Sequence, residues 1–206
     1  MARLNVNPTR MELKKLKARL ATAVRGHKLL KDKSDEMIRR FTVILREAKV
    51  LRESVESDLS EVLRQFSVAR SITPSFEAET AFSMPTVAIT TDCNVESIMG
   101  VDVPKVSLIS EKRKEGLPYA FSEITSEADY SVQKASELLP KMVELAQTEK
   151  AVRMLAEEIE RNKRRVNALE YVMIPQLEET IKYIKDKLDE NERAAVVRLM
   201  KVKSKA

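Results

Sequence analysis

The sequence is poor in the residues that build enzyme cores and catalytic sites. Its 206 residues include no tryptophan, nine aromatic residues, three glycines, one histidine and one cysteine. The single cysteine, Cys93, excludes an intrachain disulfide and is typical of a reducing compartment. Because the glycines stand alone at positions 26, 100 and 116, no glycine-rich phosphate loop is present, and one histidine cannot form an HExxH metal motif. We therefore expect no catalytic residues, no cofactor and no bound metal.

Long hydrophobic runs are also missing. No apolar stretch approaches the ~20 residues needed to span a bilayer, and the first ten residues lack the apolar core of a secretory signal. We therefore expect a cytoplasmic protein without direct membrane insertion. The net charge is +5, but basic residues are concentrated at both ends of the chain: residues 1–33 carry ten against two acids, and residues 193–206 carry five and no acid.

A long amphipathic helix is the strongest positive signal. Residues 9–73 contain no proline and one glycine, Gly26, and the Thr9-to-Glu12 spacing fits a helix-initiating capping box. At ~1.5 Å per residue such a helix is roughly 95 Å long, so its apolar stripe needs a partner helix. The stripe follows the alternating three- and four-residue spacing of a coiled coil, at Leu13, Leu16, Leu20, Ala23, His27, Leu30, Ser34, Met37, Phe41, Ile44, Ala48, Leu51 and Val55.

The next segment, residues 74–124, changes in character. It contains prolines, glycines and short runs rich in valine and isoleucine, which predict a separate head with two short strands, residues 86–91 and 101–108, around a connection at 92–100. Pro104 is then expected on an edge position. The residues expected to build this short β-hairpin are Val87, Ile89, Val101 and Val103.

Helical periodicity returns over residues 125–206, interrupted by Pro140 and Pro175, where we expect gentle bends. Its predicted seam comprises Leu138, Met142, Leu145, Val152, Leu155, Ile159, Asn162, Val166, Leu169, Met173, Leu177, Ile181, Ile184 and Leu188. The predicted fold is mainly α, with residues 8–73 and 125–206 paired as one long antiparallel two-helix coiled coil and residues 74–124 as a small central head. A parallel pairing would require an extended head, which its strand and turn signals oppose.

Two polar residues fall on the predicted seams. We interpret His27 as a packing or register residue rather than a ligand or base. Asn162 has the same interpretation, because a polar residue among apolar neighbours lowers stability but penalises wrong registers.

The basic residues at the two ends have two open interpretations: a solvated helix face, which is the usual case, or a surface that binds a partner. Nucleic acid is an alternative partner, although no recognition motif or aromatic platform accompanies the charge. A membrane surface is less suited, since an apolar wedge is missing. We call Arg10, Lys14, Lys17, Arg198 and Lys201 the basic set.

One stretch resembles a known family. Residues 164–175, Arg164-Arg165-Val-Asn167-Ala-Leu-Glu170-Tyr-Val-Met-Ile-Pro175, and the following Leu177–Ile184 are similar to the D subunits of V-type and A-type rotary ATPases. The runs Pro8-Thr-Arg-Met, Leu16–Leu20 and Leu29–Glu36 are similar to the same family, so the resemblance covers both helices in the right order. The segment 75–120 carries little of it.

This resemblance implies a non-catalytic rotor shaft in the central stalk of a hetero-oligomeric, membrane-bound complex. The shaft transmits torque between ATP hydrolysis or synthesis in a ring of A and B subunits and proton or sodium ion transport by a membrane ring. The implied partners are the A and B subunits, the small F subunit and the connector to the membrane ring. As an electrostatic hypothesis, the basic set lies against the inner surface of the catalytic ring.

Two other functional classes remain open from the residues alone. One is a coiled-coil tether or adaptor, and the other is a basic helical protein that binds nucleic acid or a membrane surface. The choice between proton and sodium ions, and between hydrolysis and synthesis, depends on other subunits.

Overall fold

A computed structural model describes residues 3–83, 87–112, 119 and 124–204, with the side chains of 87–89 and 109–112 excepted. It divides into two compact units. The first, called the terminal unit, combines Met1–Ile38 with Ile159–Ala206, and the second, called the head unit, comprises Arg39–Glu158. Each unit is built mainly from the same two parts of the chain, the N-terminal helix and the C-terminal helices.

The elements alternate long helices with a central hairpin. In chain order they are α1 (Arg10–Ile72), α2 (Ser75–Phe82), β1 (Val87–Ile98), β2 (Val101–Lys112), α3 (Ser126–Ala168), a π-helical turn (Leu169–Met173) and α4 (Ile174–Lys203). Helix α2 lies in a segment where the sequence predicted only strands and turns.

Local signals set the ends of α1. The Glu12 N–H donates to Thr9 Oγ1 at 3.2 Å, which confirms the predicted N-cap, since this bond satisfies a backbone donor that the helix leaves unpaired. The reciprocal half of the capping box is absent from the described contacts, because the Glu12 carboxylate instead accepts from Lys15 Nζ at 2.8 Å. At the other end α1 stops at Ile72, two residues before Pro74, where the missing N–H of proline cannot continue a helix.

The predicted seam of α1 is confirmed. All thirteen of its positions, from Leu13 to Val55, are buried or half-buried. On the C-terminal helices two predicted positions are wrong: Met142 and Met173 are exposed. Met173 ends the π-helical turn, where the widened backbone breaks the spacing that places every third or fourth residue on one face.

In the terminal unit, α1 pairs antiparallel with the C-terminal helices. Arg10 forms an ion pair with Glu192, His27 Nε2 lies 3.3 Å from Glu170 Oε2, and Met37 contacts Asn162. Partner numbers fall as α1 numbers rise, which defines the antiparallel direction. A core of Leu16, Leu177 and Ile184 lies between the helices.

The head unit repeats the antiparallel pattern. Arg52 Nη2 lies 3.0 Å from Glu149 Oε1, and Lys141 Nζ lies 2.8 Å from Asp58 Oδ2. Tyr130 donates through its hydroxyl to Glu61 Oε1 at 3.2 Å. The predicted fold class, a mainly α chain with an antiparallel two-helix coiled coil and a small β-hairpin, is therefore confirmed.

The β-hairpin is longer than the sequence predicted, and its turn lies elsewhere. Both strands have twelve residues and pair antiparallel without a bulge, from Val87 opposite Lys112 to Ile98 opposite Val101. The predicted connection at 92–100 is thus wrong over most of its length, because residues 92–98 are strand. Only Met99 and Gly100 form the turn, with φ of 55° and 84°, the two positive values that a type I′ hairpin turn requires.

An aromatic cluster holds α2 in the head unit. The Phe82 ring lies 5.3 Å from Phe66 and 6.0 Å from Tyr119 between centroids, both edge to face, a favoured geometry for aromatic pairs. The Tyr119 hydroxyl donates to Asp129 Oδ1 at 2.7 Å. Burial, followed by this hydrogen bond to the carboxylate, raises the pKa of Tyr119 well above its usual value.

Candidate functional site: the basic set, the family motif and the hairpin

An N-terminal segment precedes α1 and packs on α4. The Leu4 N–H donates to Thr180 Oγ1 at 3.2 Å, and the Arg3 guanidinium lies 4.6 Å from the centre of the Tyr183 ring, within cation–π range. The Leu4 side chain packs against the core of the terminal unit. This segment therefore covers the part of α4 around Thr180 and Tyr183.

The basic set lies on the first turns of α1 and the last turns of α4, and all five side chains are exposed. Arg10 forms its exposed ion pair with Glu192, a contact that contributes little to stability. Within the described residues, Lys14, Lys17, Arg198 and Lys201 form no ion pair. Their charges are available to an acidic partner, and no described contact identifies one.

The end of α4 is apolar as well as basic, which the sequence interpretation missed. Residues 193–203 continue α4 beyond the ion pair that joins its Glu192 to the first residue of α1. The exposed apolar side chains there are Val196, Val197, Leu199, Met200 and Val202. The signal is present in the sequence as the run Ala194-Ala-Val-Val-Arg-Leu-Met-Lys-Val202, in which apolar residues outnumber the two basic ones. A surface that combines both characters is suited to a protein partner.

The family motif straddles the π-helical turn. Arg164 pairs with Glu160 at 2.5 Å, and Arg165 donates to Asn162 Oδ1 at 3.4 Å. Asn167 is exposed. Glu170 accepts from or pairs with His27 at 3.3 Å, and Pro175 is the second residue of α4. The motif thus supplies contacts across the helix pair and within one helix, and its residues do not converge on a single pocket.

Pro175 accounts for the π-helical turn. In a regular helix the proline ring collides with the carbonyl of the residue four positions earlier, here Tyr171. The backbone instead widens over Leu169–Met173, and the Ile174 N–H donates to the Leu169 carbonyl, five positions earlier. The turn leaves Tyr171, Val172 and Met173 exposed.

Asn162 is a buried polar residue in the seam. Its side chain is 1% exposed, its Nδ2 lies 3.3 Å from Met37 Sδ, and its Oδ1 accepts from Arg165. A thioether sulfur is a weak acceptor, so the amide is only partly satisfied, which agrees with a role in register rather than in stability. His27, half-buried beside Glu170, likewise lies in the helix pair.

The four residues expected to build the hairpin fall on its two strands. Val101 and Val103 lie in β2 and are buried. Val87 and Ile89 lie in β1 opposite Lys112 and Ser110, and their side chains lie outside the described part of the structure. A contact that the sequence did not predict fixes β2: the Val106 N–H donates to Gln147 Oε1 of α3 at 2.9 Å.

The described residues offer neither a metal site nor a membrane span. No group of three or more His, Cys, Asp and Glu side chains there is arranged to hold a metal ion. None of the described helices has a stretch long and apolar enough to cross a bilayer.

Comparison with known proteins gives the family. The profile of the family described as the D subunit of ATP synthase matches residues 12–204. The chain belongs to this family. Similar proteins, each named as the D subunit of a V-type ATP synthase, occur in Clostridium novyi (strain NT), 50% identical over 99% of this chain and 96% of the relative, and in Acetivibrio thermocellus, 51% identical over 98% and 92%. A third, from Streptococcus pyogenes serotype M3, is 48% identical over 99% and 100%.

Membership in the D-subunit family confirms the resemblance drawn from residues 164–175 and from the N-terminal runs. The match extends through the hairpin segment, where the sequence motifs showed little likeness. The names of the three relatives describe each of them as one subunit of a V-type ATP synthase.

Proposed function

We propose that this chain is the central rotor shaft of a V/A-type ATPase. It transmits torque between ATP hydrolysis or synthesis in the A/B ring and ion translocation by the membrane ring, and it has no catalytic role itself. In the same proposal the chain acts on the cytoplasmic side as a peripheral subunit. In this proposal the first shaft helix is residues 8–73, the head is residues 74–124, and the second shaft helix is residues 125–206.

The observation that carries this proposal is the antiparallel seam within each unit. Twisting one helix about the other must displace buried side chains such as Met37, Leu155 and Ile184, which are at most 1% exposed. Because packed interiors resist deformation, an applied rotation passes along a pair of this kind rather than being absorbed by it.

Asymmetry supports the same function. A shaft in a three-fold ring biases three equal sites differently only if its own faces differ, because a partner shifts an equilibrium by its differential contacts. The two helices differ here: the end of α4, after the π-helical turn, carries five exposed apolar residues, whereas the first three turns of α1 carry basic side chains and one exposed large apolar residue, Met11.

The same proposal assigns each partner to a surface of the chain. The basic set and the apolar end of α4 contact the inner surface of the A/B ring, while helix segments next to the hairpin receive the small F subunit, and the head faces the connector to the membrane ring.

Stoichiometry is the direct test. The tagged chain, purified from its host and weighed by native mass spectrometry, is expected in a complex with one copy per three A/B pairs. A stable homodimer without a ring would support the tether alternative, and salt-sensitive retention of DNA or RNA would support a nucleic-acid binder; either result would overturn the proposal.

Charge reversal tests the ring contact. Changing all five residues of the basic set to Glu is expected to weaken A/B ring association, increasingly at low salt where charges are screened least. A matched control reverses five exposed basic residues of the head unit: Arg46, Lys49, Arg64, Arg70 and Lys150. An equal loss of A/B ring association in both variants, or no loss of association in either, would contradict the placement of the basic set against the ring.

Deleting residues 84–108 tests the head. We expect weaker binding of the F subunit and weaker coupling of ATP hydrolysis to ion transport, while the A/B ring still assembles. Unchanged F binding and coupling would remove the head from the proposed mechanism.

A further inference from the structure

The two outer edges of the hairpin differ. The Val106 N–H donates to Gln147 of α3 at 2.9 Å, so it points away from β1. In an antiparallel pair, residues alternate between those that exchange backbone hydrogen bonds and those whose N–H and C=O groups point outward. Cys93, opposite Val106, therefore also points its backbone groups outward, on the other edge.

The two-residue turn gives the same alternation independently. A hairpin closed by Met99 and Gly100 makes Ile98 and Val101 a hydrogen-bonded pair. Counting back by twos, the even-numbered residues of β1 bond to β2. The outward-pointing residues of β1 between the turn and Thr90 are Thr91, Cys93, Val95 and Ser97.

The edge of β2 is closed. The Val106 N–H already donates to Gln147. Pro104 also points its backbone groups outward, since it lies opposite Val95 two residues before Val106, and it has no N–H to donate. Both devices are ways in which proteins protect a strand edge from pairing.

The edge of β1 has no such protection. Within the described residues, none of its four outward-pointing residues has a hydrogen-bond partner for its outer backbone groups. Residues 87–98 contain no proline, lysine or arginine, the pairing has no bulge, and the side chains of residues 90–97 are exposed, with Val95 at 72%. A bulge-free edge with unpaired backbone groups is a template for another strand.

We propose that β1 is a strand-addition site, on which an extended segment of another subunit of the ATPase complex pairs as the third strand of the sheet. A two-stranded hairpin is only marginally stable alone, and at ~3.4 Å per residue the β1 edge offers roughly 40 Å of backbone. Main-chain hydrogen bonds hold such a segment.

Charge defines the segment. The ionisable acids of β1 are Asp92 and Glu96, with Glu96 paired to Lys105 at 2.9 Å, and β1 has no basic residue. The bound segment is therefore neutral or basic at the positions facing these carboxylates, because opposite charges across strands stabilise and like charges destabilise. It also lacks proline where its own N–H groups face β1.

A second copy of this chain fits the edge poorly. Symmetric antiparallel pairing of two β1 strands centred on Asp92 places this carboxylate opposite its own copy, and pairing centred on Asn94 places Asp92 opposite Glu96 of the copy. Like charges directly opposite each other destabilise a sheet, which disfavours both registers. Pairing centred on Cys93 leaves Asp92 diagonal to both carboxylates of the copy, where the repulsion is weaker because the separation is about 7–8 Å.

Amide exchange measures the pairing directly. This inference rests on the proposed function, because the added segment is sought in the ATPase complex. Hydrogen–deuterium exchange with residue-level fragmentation compares the isolated full chain with the purified complex. We expect the odd-numbered amides Thr91, Cys93, Val95 and Ser97 to exchange freely in the isolated chain and to slow by about tenfold or more in the complex. The even-numbered amides between them are protected in both.

The outcomes separate the two proposals. Absence of the chain from the purified ATPase overturns the proposed function. Its presence with the odd-numbered amides still unprotected overturns only strand addition. Slow exchange of those amides already in the isolated chain, with protection rising with protein concentration, would show self-pairing and would also overturn strand addition.

A matched pair of substitutions tests the backbone. Cys93→Pro removes one outward N–H without removing a bond to β2, whereas Cys93→Ala keeps it. We expect Cys93→Ala to behave as the unmodified chain, and Cys93→Pro to lose the complex-dependent protection at Thr91 and Val95. Equal protection in both variants would contradict strand addition.

Discussion

Leu177 and Leu199 lie on the same helix, α4, in opposite environments. Leu177 is 1% exposed and packs with Leu16 and Ile184, whereas Leu199 is 70% exposed. Truncating a buried leucine to alanine costs the transfer energy of the lost atoms and leaves a cavity, together about 2–5 kcal/mol. Because this core is a single seam between two helices, neighbouring side chains can partly fill the space. We therefore expect Leu177→Ala to cost about 2–3 kcal/mol.

Urea unfolding of the isolated chain, followed by far-UV circular dichroism, measures the difference. With a slope of ~2 kcal/mol/M, this loss lowers the midpoint by about 1 M or more. Leu199→Ala, the same chemical change at an exposed site, is expected to stay within about 0.5 kcal/mol of the unmodified chain. Equal destabilisation by both would show that the end of α4 is packed in the isolated chain, and a loss below about 1 kcal/mol for Leu177→Ala would refute the assigned core.

Three further predictions concern single side chains. Gly26→Ala is expected to stabilise the isolated chain by about 1 kcal/mol, because alanine favours the helix and an added Cβ meets no atom within 4 Å; an unchanged or lower melting temperature would contradict this. Asn162→Leu is expected to raise the free energy of unfolding by about 1–2 kcal/mol, because the amide nitrogen donates only to the weak acceptor Met37 Sδ among the described contacts. The same variant is expected to adopt more than one helix register, which doubles NMR signals. An unchanged free energy of unfolding would mean that the amide is satisfied. The pKa of Tyr119 is raised in the folded state, so its contribution to the free energy of unfolding is present below pH ~10 and falls as pH rises further. In urea unfolding, Tyr119→Phe is therefore expected to be less stable than the unmodified chain at pH 8, and the difference in stability is expected to narrow by pH 11. A difference that stays constant would contradict the raised pKa.

The seam of α1 was predictable because helical packing leaves a direct record in the sequence. Burial at every third or fourth residue requires apolar side chains, from Leu13 to Val55, and tolerates few exceptions. His27 and Ser34 break the apolar pattern, yet their spacing alone assigned them correctly to the helix interface.

The hairpin was harder to predict, because its first strand, β1, carries little alternation. Residues 90–97 are all exposed, so no inward face selects apolar side chains, and Asp92, Asn94 and Ser97 are typical turn residues. The true turn uses Met99 at a positive φ, a conformation that is uncommon for residues other than glycine. Likewise, α2 is only eight residues long, too short to show a helical period.

The basic set illustrates a different limit. The sequence shows where the basic residues are, but not which of them form ion pairs. Pairing depends on the register of the two helices, which places Arg10 beside Glu192. The apolar end of α4 was missed because exposed and buried valines look alike in one sequence.

The π-helical turn also fixes the phase of everything that follows it. A π-bulge amounts to one additional residue in a helix, and one residue of α-helix corresponds to about 100° of rotation. If the turn closed into regular α-helix, the residues beyond it would rotate together by about that angle, and the buried Leu177 and Ile184 would turn away from α1. Through its missing N–H, Pro175 therefore sets the rotation about the helix axis of all thirty residues of α4.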